Sequence, residues 1–289
     1  MKNDTNDPEQ ERIAQMTRRT VFFVSDQTGV TAETMGHSLL TQFEGLEFRQ
    51  VTLPFLSTLD KAREAVKKIN ATRAADGCRP IVFSTLVKED LREIVRGSDG
   101  LFLDFFAAFL SPLEDELQVK STMREGRAHG IADANSYGTR IAATNFALAA
   151  DDGAVATDYE RAEIILVGVS RSGKTPTCLY MAMQYGIYAA NYPLTDEDFE
   201  SQQMPAMLRP HVAKLFGMMI SPARLQQIRT ERKPDSRYSS LEQCEYEVRV
   251  AGGLMNRYQI PQLDVTECSI EEIASRIIET KGIERRLRP

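Results

Sequence analysis

The chain reads as an α/β protein of two domains, an N-terminal βαβ-type domain and a C-terminal P-loop nucleotide-binding domain. Three observations predict this. Strand-length apolar runs alternate with amphipathic helical stretches along the sequence, the rhythm of parallel sheets with crossover helices. One of those runs leads straight into a glycine-rich turn of phosphate-binding pattern. The 289 residues and 42% hydrophobic content provide enough apolar material for two cores.

Met1 to Arg19 is polar and charged and lacks the apolar centre of a secretion signal, so residues 1–18 read as a disordered tail. The first strand is Val21-Phe22-Phe23-Val24, and Asp26-Gln27-Thr28-Gly29 leads from it into a helix from about Thr31 to Phe43. Leu59, Ala62, Val66 and Ile69 recur at helical spacing and give a sheet-covering helix. Ile81-Val82-Phe83 is the next strand, followed by a helix near Glu89 to Val95. A helix carrying Ile141, Ala142, Phe146 and Leu148 ends at Asp151-Asp152-Gly153, which closes the first domain, 19–153. Residues 154–162 lack periodicity and read as a linker, and the second domain covers 163–289.

That domain opens with the strand Ile164-Ile165-Leu166-Val167 and continues as Gly168-Val169-Ser170-Arg171-Ser172-Gly173-Lys174-Thr175, which fits G-x-x-x-x-G-K-[ST]. Pro176 suits the first turn of the helix that follows. Further strands are expected at Ala189 to Pro193, Leu215 to Ile220 and Gln259 to Asp264. Ser269-Ile270-Glu271-Glu272 is a capping-box pattern heading a helix whose core face is Ile270, Ile273, Ala274, Ile277 and Ile278. No internal repeat stands out.

The phosphate-loop pattern carries its own chemistry. Glycines let successive N–H groups and a helix N-terminus face one phosphate; Lys174 reaches a second, and the Thr175 hydroxyl can ligate Mg²⁺. A net charge of -6 argues against a general nucleic-acid binder. The four cysteines, Cys78, Cys178, Cys244 and Cys268, form no C-x-x-C pair and indicate neither a zinc site nor a disulfide framework. No apolar window is long enough to span a bilayer, and the expected location is the cytoplasm.

Other candidates carry two readings each. Asp26, at a strand end, is placed for a general base or for a turn or cap. His129, in a loop-like stretch with Arg127, is a substrate contact or a structural histidine. Asp264 is a magnesium-binding aspartate or a turn residue. Arg229, Arg232 and Lys233, spaced for one helical face with Arg237 beyond Pro234, form a phosphate or partner clamp or a solvated surface. No N-K-x-D element follows the phosphate loop, as a guanine-reading switch would need, and there is no H-R-D or D-F-G of a conventional protein kinase, which leaves a P-loop small-molecule kinase or a nucleotide-gated regulatory binding protein without phosphotransfer as the alternative readings.

Several segments carry a resemblance over nearly the whole chain. Gly168 to Thr177, Ala190-Asn191-Tyr192-Pro193, Leu215-Phe216-Gly217, Ser236-Arg237-Tyr238 and Ser269 to Ala274 are similar to the pyruvate, phosphate/water dikinase regulatory protein family. So are Ser25 to Gly29 with Thr31-Ala32-Glu33, Arg127-Ala128-His129-Gly130, Tyr137 to Arg140 and Asp151-Asp152-Gly153. Gln27 departs from the glycine expected there. His129-Gly130 and Ser236-Arg237-Tyr238 favour the branch whose partner is phosphoenolpyruvate synthase (pyruvate, water dikinase). The resemblance implies a bifunctional enzyme: a serine/threonine kinase that inactivates the dikinase with ADP as phosphate donor, and a phosphorylase that reverses this with inorganic phosphate and releases pyrophosphate. It implies a P-loop kinase/phosphorylase domain at 163–289, with Mg²⁺, and a homodimer.

Overall fold

The computed structural model describes residues 18–123, 134–151 and 158–287. The chain divides into two compact units, Met1–Gly130 and Ile131–Pro289. In the first, β1 (Arg18–Val24), β2 (Glu47–Leu53), β3 (Ile81–Ser84) and β4 (Leu101–Asp104) form one parallel sheet in the order β2-β1-β3-β4. Side chains alternate across a strand, and β1 carries bulky residues on both sides. Phe22 and Val24 join one cluster with Ala62, Ala65 and Ile69 of α2 (Leu59–Asp76) and Leu91 and Val95 of α3 (Glu89–Arg96). Val21 and Phe23 join the other, with Ala32 and Leu40 of α1 (Val30–Leu40) and Phe105 at the start of α4 (Phe105–Leu117). Helices on both faces are what a central strand with apolar residues on both sides requires.

The second unit repeats this order. Strands β5 (Ile164–Gly168), β6 (Ala189–Pro193), β7 (Leu215–Met219) and β8 (Gln262–Asp264) form a parallel sheet β6-β5-β7-β8. Its helices are α5 (Ala134–Ala149), α6 (Lys174–Tyr185), the short α7 (Asp196–Ser201), α8 (Pro222–Arg232), α9 (Leu241–Arg257) and α10 (Ile270–Lys281). Every residue of β5 is buried. Ser269 caps α10 through the Glu272 N–H, and Ile273, Ala274, Ile277 and Ile278 are buried, as expected, whereas Ile270 at its start is exposed. The Gln259–Asp264 strand shortens to its last three residues, because Gln259 takes a left-handed φ of 53°.

Two expectations change. The helix read as closing the first domain at Asp151-Asp152-Gly153 is α5, which packs on α6 and β6 and lies in the second unit. Its buried face is Ala143, Phe146, Ala147 and Ala150, while Ile141 and Leu148 point to solvent. Strands β2 and β4 also stand where none was expected. Both are sheet edges; β2 is polar along much of its length, and the short β4 runs directly into the apolar start of α4, Phe105-Phe106-Ala107, so its Leu101-Phe102-Leu103 does not stand apart as a strand. The expected tail at 1–18 lies outside the described residues save for Arg18, which begins β1.

Candidate functional site

In an open parallel sheet, the loops after the two strands where the order reverses diverge and leave a crevice at their C-terminal ends. In the second unit those strands are β5 and β7, and the Gly168–Thr175 loop leaves β5 at that point. Gly168 is required by space: a Cβ there would stand 2.4 Å from the Met218 carbonyl oxygen on β7. Gly173 is required by angle, being the N-cap of α6 at φ 86°. Arg171 also holds a left-handed φ, of 76°, a strain that such loops store at ligand sites.

The loop is tied around one carbonyl. Val169 O accepts from Lys174 Nζ at 2.8 Å and from Ser172 Oγ at 3.0 Å, so a buried lysine head is already folded across the turn. No side chain caps α6 and no acidic residue occupies its first turn; its leading N–H groups and positive dipole end suit an anion. Thr175 Oγ1 donates to Asp151 Oδ1 at 2.7 Å, and Asn191 Nδ2 donates to the same oxygen at 2.6 Å. Behind Thr175, burial above all, with Asp151 adding to it, pushes the Cys178 thiol far up, so it stays protonated.

The far side of the loop rests on an ion pair. Arg229 of α8 is fully buried, meets Glu247 of α9 at 2.6 Å, and donates through Nη2 to Ser170 O at 3.1 Å. Its guanidinium lies 4.1 Å from the Tyr238 ring centroid, and the Tyr238 hydroxyl is 3.2 Å from Ser170 Oγ. The cationic patch read from Arg229, Arg232 and Lys233 is therefore split: Arg229 faces inward, Arg232 and Lys233 outward, because Glu247 draws the guanidinium into the core.

Asp26 occupies the equivalent crevice of the first sheet, after β1 and beside the loop after β3. Its buried carboxylate accepts from the Val87 N–H at 2.9 Å through Oδ2. Gly29 caps α1 at φ 86°, the same φ as Gly173. Gln27 has no positive φ, so a side chain is tolerated where the family pattern has glycine. Asp264 ends the edge strand β8, with β7 between it and β5, and its Oδ1 accepts from Thr266 N at 2.9 Å and Thr266 Oγ1 at 2.5 Å, a turn-forming pattern. His129 lies outside the described residues, as does Asp152. In the sequence, Asp151 and Asn191 stand only within the longer segments Asp151-Asp152-Gly153 and Ala190-Asn191-Tyr192-Pro193. A fully buried asparagine in the otherwise apolar β6 was the signal available, since such an amide needs a partner.

Two α/β units, the second with a strand–loop–helix turn shaped for an anion, define the class. The chain belongs to the kinase/pyrophosphorylase family, whose model matches residues 21–278. It is 54% identical over 271 residues, 94% of this chain and 100% of the relative, to a Pseudomonas putida F1 protein named "putative phosphoenolpyruvate synthase regulatory protein". Proteins of the same name from Alcanivorax borkumensis SK2 (54% over 270 residues; 93% of this chain, 99% of the relative) and Marinobacter nauticus VT8 (53% over 268 residues; 93% and 99%) are similar to it along the same span. Among the described residues no helix is long and apolar enough to cross a membrane.

Proposed function

We propose that this chain is a cytoplasmic, bifunctional regulator of phosphoenolpyruvate synthase. In the forward direction an acceptor threonine hydroxyl attacks the terminal phosphorus of ADP, the bond to the bridging oxygen breaks, and AMP leaves. In the reverse direction inorganic phosphate attacks the phosphothreonine phosphorus, the threonine oxygen takes back a proton, and pyrophosphate leaves. The observation that carries this reading is the Gly168–Thr175 loop, with Lys174 folded across it and an uncapped helix N-terminus behind it. One anion site of this kind serves both directions, holding the ADP phosphates one way and the attacking inorganic phosphate the other. Lys174 offsets developing charge on the transferring group. The Thr175 hydroxyl would hold Mg²⁺, which would offset negative charge on the phosphate groups. Asp26 is the proposed acceptor of the threonine proton.

The test is to incubate the purified protein with phosphoenolpyruvate synthase and ADP freed of ATP, and to measure phosphothreonine and AMP; then to add phosphate and measure pyrophosphate. Both reactions are expected. Lys174→Ala and Thr175→Ala are expected to lose both, with unchanged melting temperature, whereas Asp26→Asn lowers the forward rate about 10²- to 10⁴-fold and still binds ADP. A lysine variant that loses one direction only would break the shared-site reading. Transfer from purified ATP with release of ADP would replace it with an ordinary kinase.

A further inference from the structure

We infer that Asp151 is the carboxylate of the Mg²⁺ site, acting with Thr175. The inference rests on the nucleotide reading above and adds a residue to it. A threonine hydroxyl that ligates a cation must turn its lone pairs to the metal and place its hydrogen elsewhere. Here the hydrogen has a fixed destination, since Thr175 Oγ1 donates to Asp151 Oδ1 at 2.7 Å. Asn191, fully buried in β6, donates to the same oxygen at 2.6 Å and locks the carboxylate in place.

The placement of Asp151 points the same way. It lies just past the C-terminal end of α5, where aligned carbonyls already concentrate negative charge, and no basic residue occupies that helix's last turn. An acidic side chain there is unfavourable by itself; a divalent cation relieves the conflict. Mg²⁺ does not need a dedicated protein cage, only one or two carboxylates beside substrate phosphates. That matches a chain in which the described residues contain no cluster of three or more metal-ligating side chains. Phosphate-loop proteins generally pair the loop hydroxyl with an aspartate. In this chain the aspartate arrives from a helix end upstream of the loop and touches the loop hydroxyl, whereas Asp264 ends the edge strand β8, with β7 between it and β5.

The experiment measures ADP binding to the full chain by calorimetry with and without Mg²⁺, and Mn²⁺ immobilisation by electron paramagnetic resonance with ADP present. Wild type is expected to bind ADP more tightly with Mg²⁺. Asp151→Asn is expected to bind metal-free ADP normally while losing about 10- to 100-fold in ADP-dependent Mn²⁺ affinity, the size of effect such supporting groups produce. Asp264→Asn is expected to behave as wild type. Unchanged Mn²⁺ affinity in Asp151→Asn would overturn the assignment, as would loss confined to Asp264→Asn. Should Asp151→Asn not give a cooperative melt, Asp151→Glu replaces it, because the displaced carboxylate is expected to weaken Mn²⁺ alone. Wild type that binds no ADP under either condition would remove the nucleotide reading itself and the Mg²⁺ site with it.

Discussion

Gly168 and Gly173 are both fixed positions of one short pattern, yet they answer to different physics. A methyl group on Gly168 would collide with the Met218 carbonyl at 2.4 Å, an atom of the neighbouring strand in the sheet. On Gly173 the nearest atom to such a methyl is Met218 Cε at 3.8 Å, but the φ of 86° disfavours any side chain. Gly168→Ala is therefore expected to pry β7 from β5, lowering stability by about 1–3 kcal/mol and the melting temperature by roughly 2–4 °C per kcal/mol. Differential scanning calorimetry checks it; an unshifted melt would mean that the sheet yields there at no cost. The glycines were legible because they are contiguous with the loop. Asp151 and Asn191 were not, because Asp151 meets Thr175 from 24 residues earlier in the chain and Asn191 meets Asp151 from the next strand, and only the fold brings them together.

At the scale of elements, α8 and α9 support the loop through Arg229 and Glu247. Three cations at helical spacing look like one solvated face, and spacing alone cannot say that one of them is swallowed. The difference lies in Glu247 on another helix, which holds Arg229 by paired contacts of 3.1 and 2.6 Å. Burial works to lower the Arg229 pKa, but Glu247 and the neighbouring Tyr238 outweigh it and raise it, so the guanidinium stays charged. Removing one partner of a buried pair strands the other charge, at a cost of about 3–5 kcal/mol, whereas an apolar replacement of both is nearly neutral. Arg229→Met should therefore lower the urea midpoint far more than Arg229→Met combined with Glu247→Leu. The double variant should still bind ADP more weakly than wild type, because the Ser170 carbonyl has lost its donor. A double variant no more stable than the single one would show that the helices depend on the charges themselves.

Across the whole molecule, two sheets share the order second-first-third-fourth although no repeat is visible in the residues. Central strands were readable because burial on both faces demands continuous apolar runs, as β1 and β5 show. The edge strand β2 escaped because one side needs no partner and Glu47, Arg49 and Gln50 are free to be polar. The unit boundary escaped for a related reason: the pattern of α5 says that it covers a sheet but not which one. Amphipathicity is local, and assignment to the second unit is settled by Ala143, Phe146 and Ala147 joining that unit's core.

The four thiols divide by burial, and this makes the protein its own clock. Cys78 and Cys268 are half-buried, Cys178 and Cys244 are buried, and burial raises the pKa of both inner thiols. Alkylation needs a thiolate in contact with reagent, so the inner pair can react only when the structure around them opens. Cys178 sits on α6 behind Thr175, and Cys244 lies 4.0 Å from Arg229; each times a different wall of the same loop. With a thiol reagent followed by mass spectrometry, Cys78 and Cys268 should label first, and ADP with Mg²⁺ should slow Cys178 while leaving Cys78 unchanged. Equal slowing at all four would mean that the ligand stabilises the chain globally rather than closing this loop.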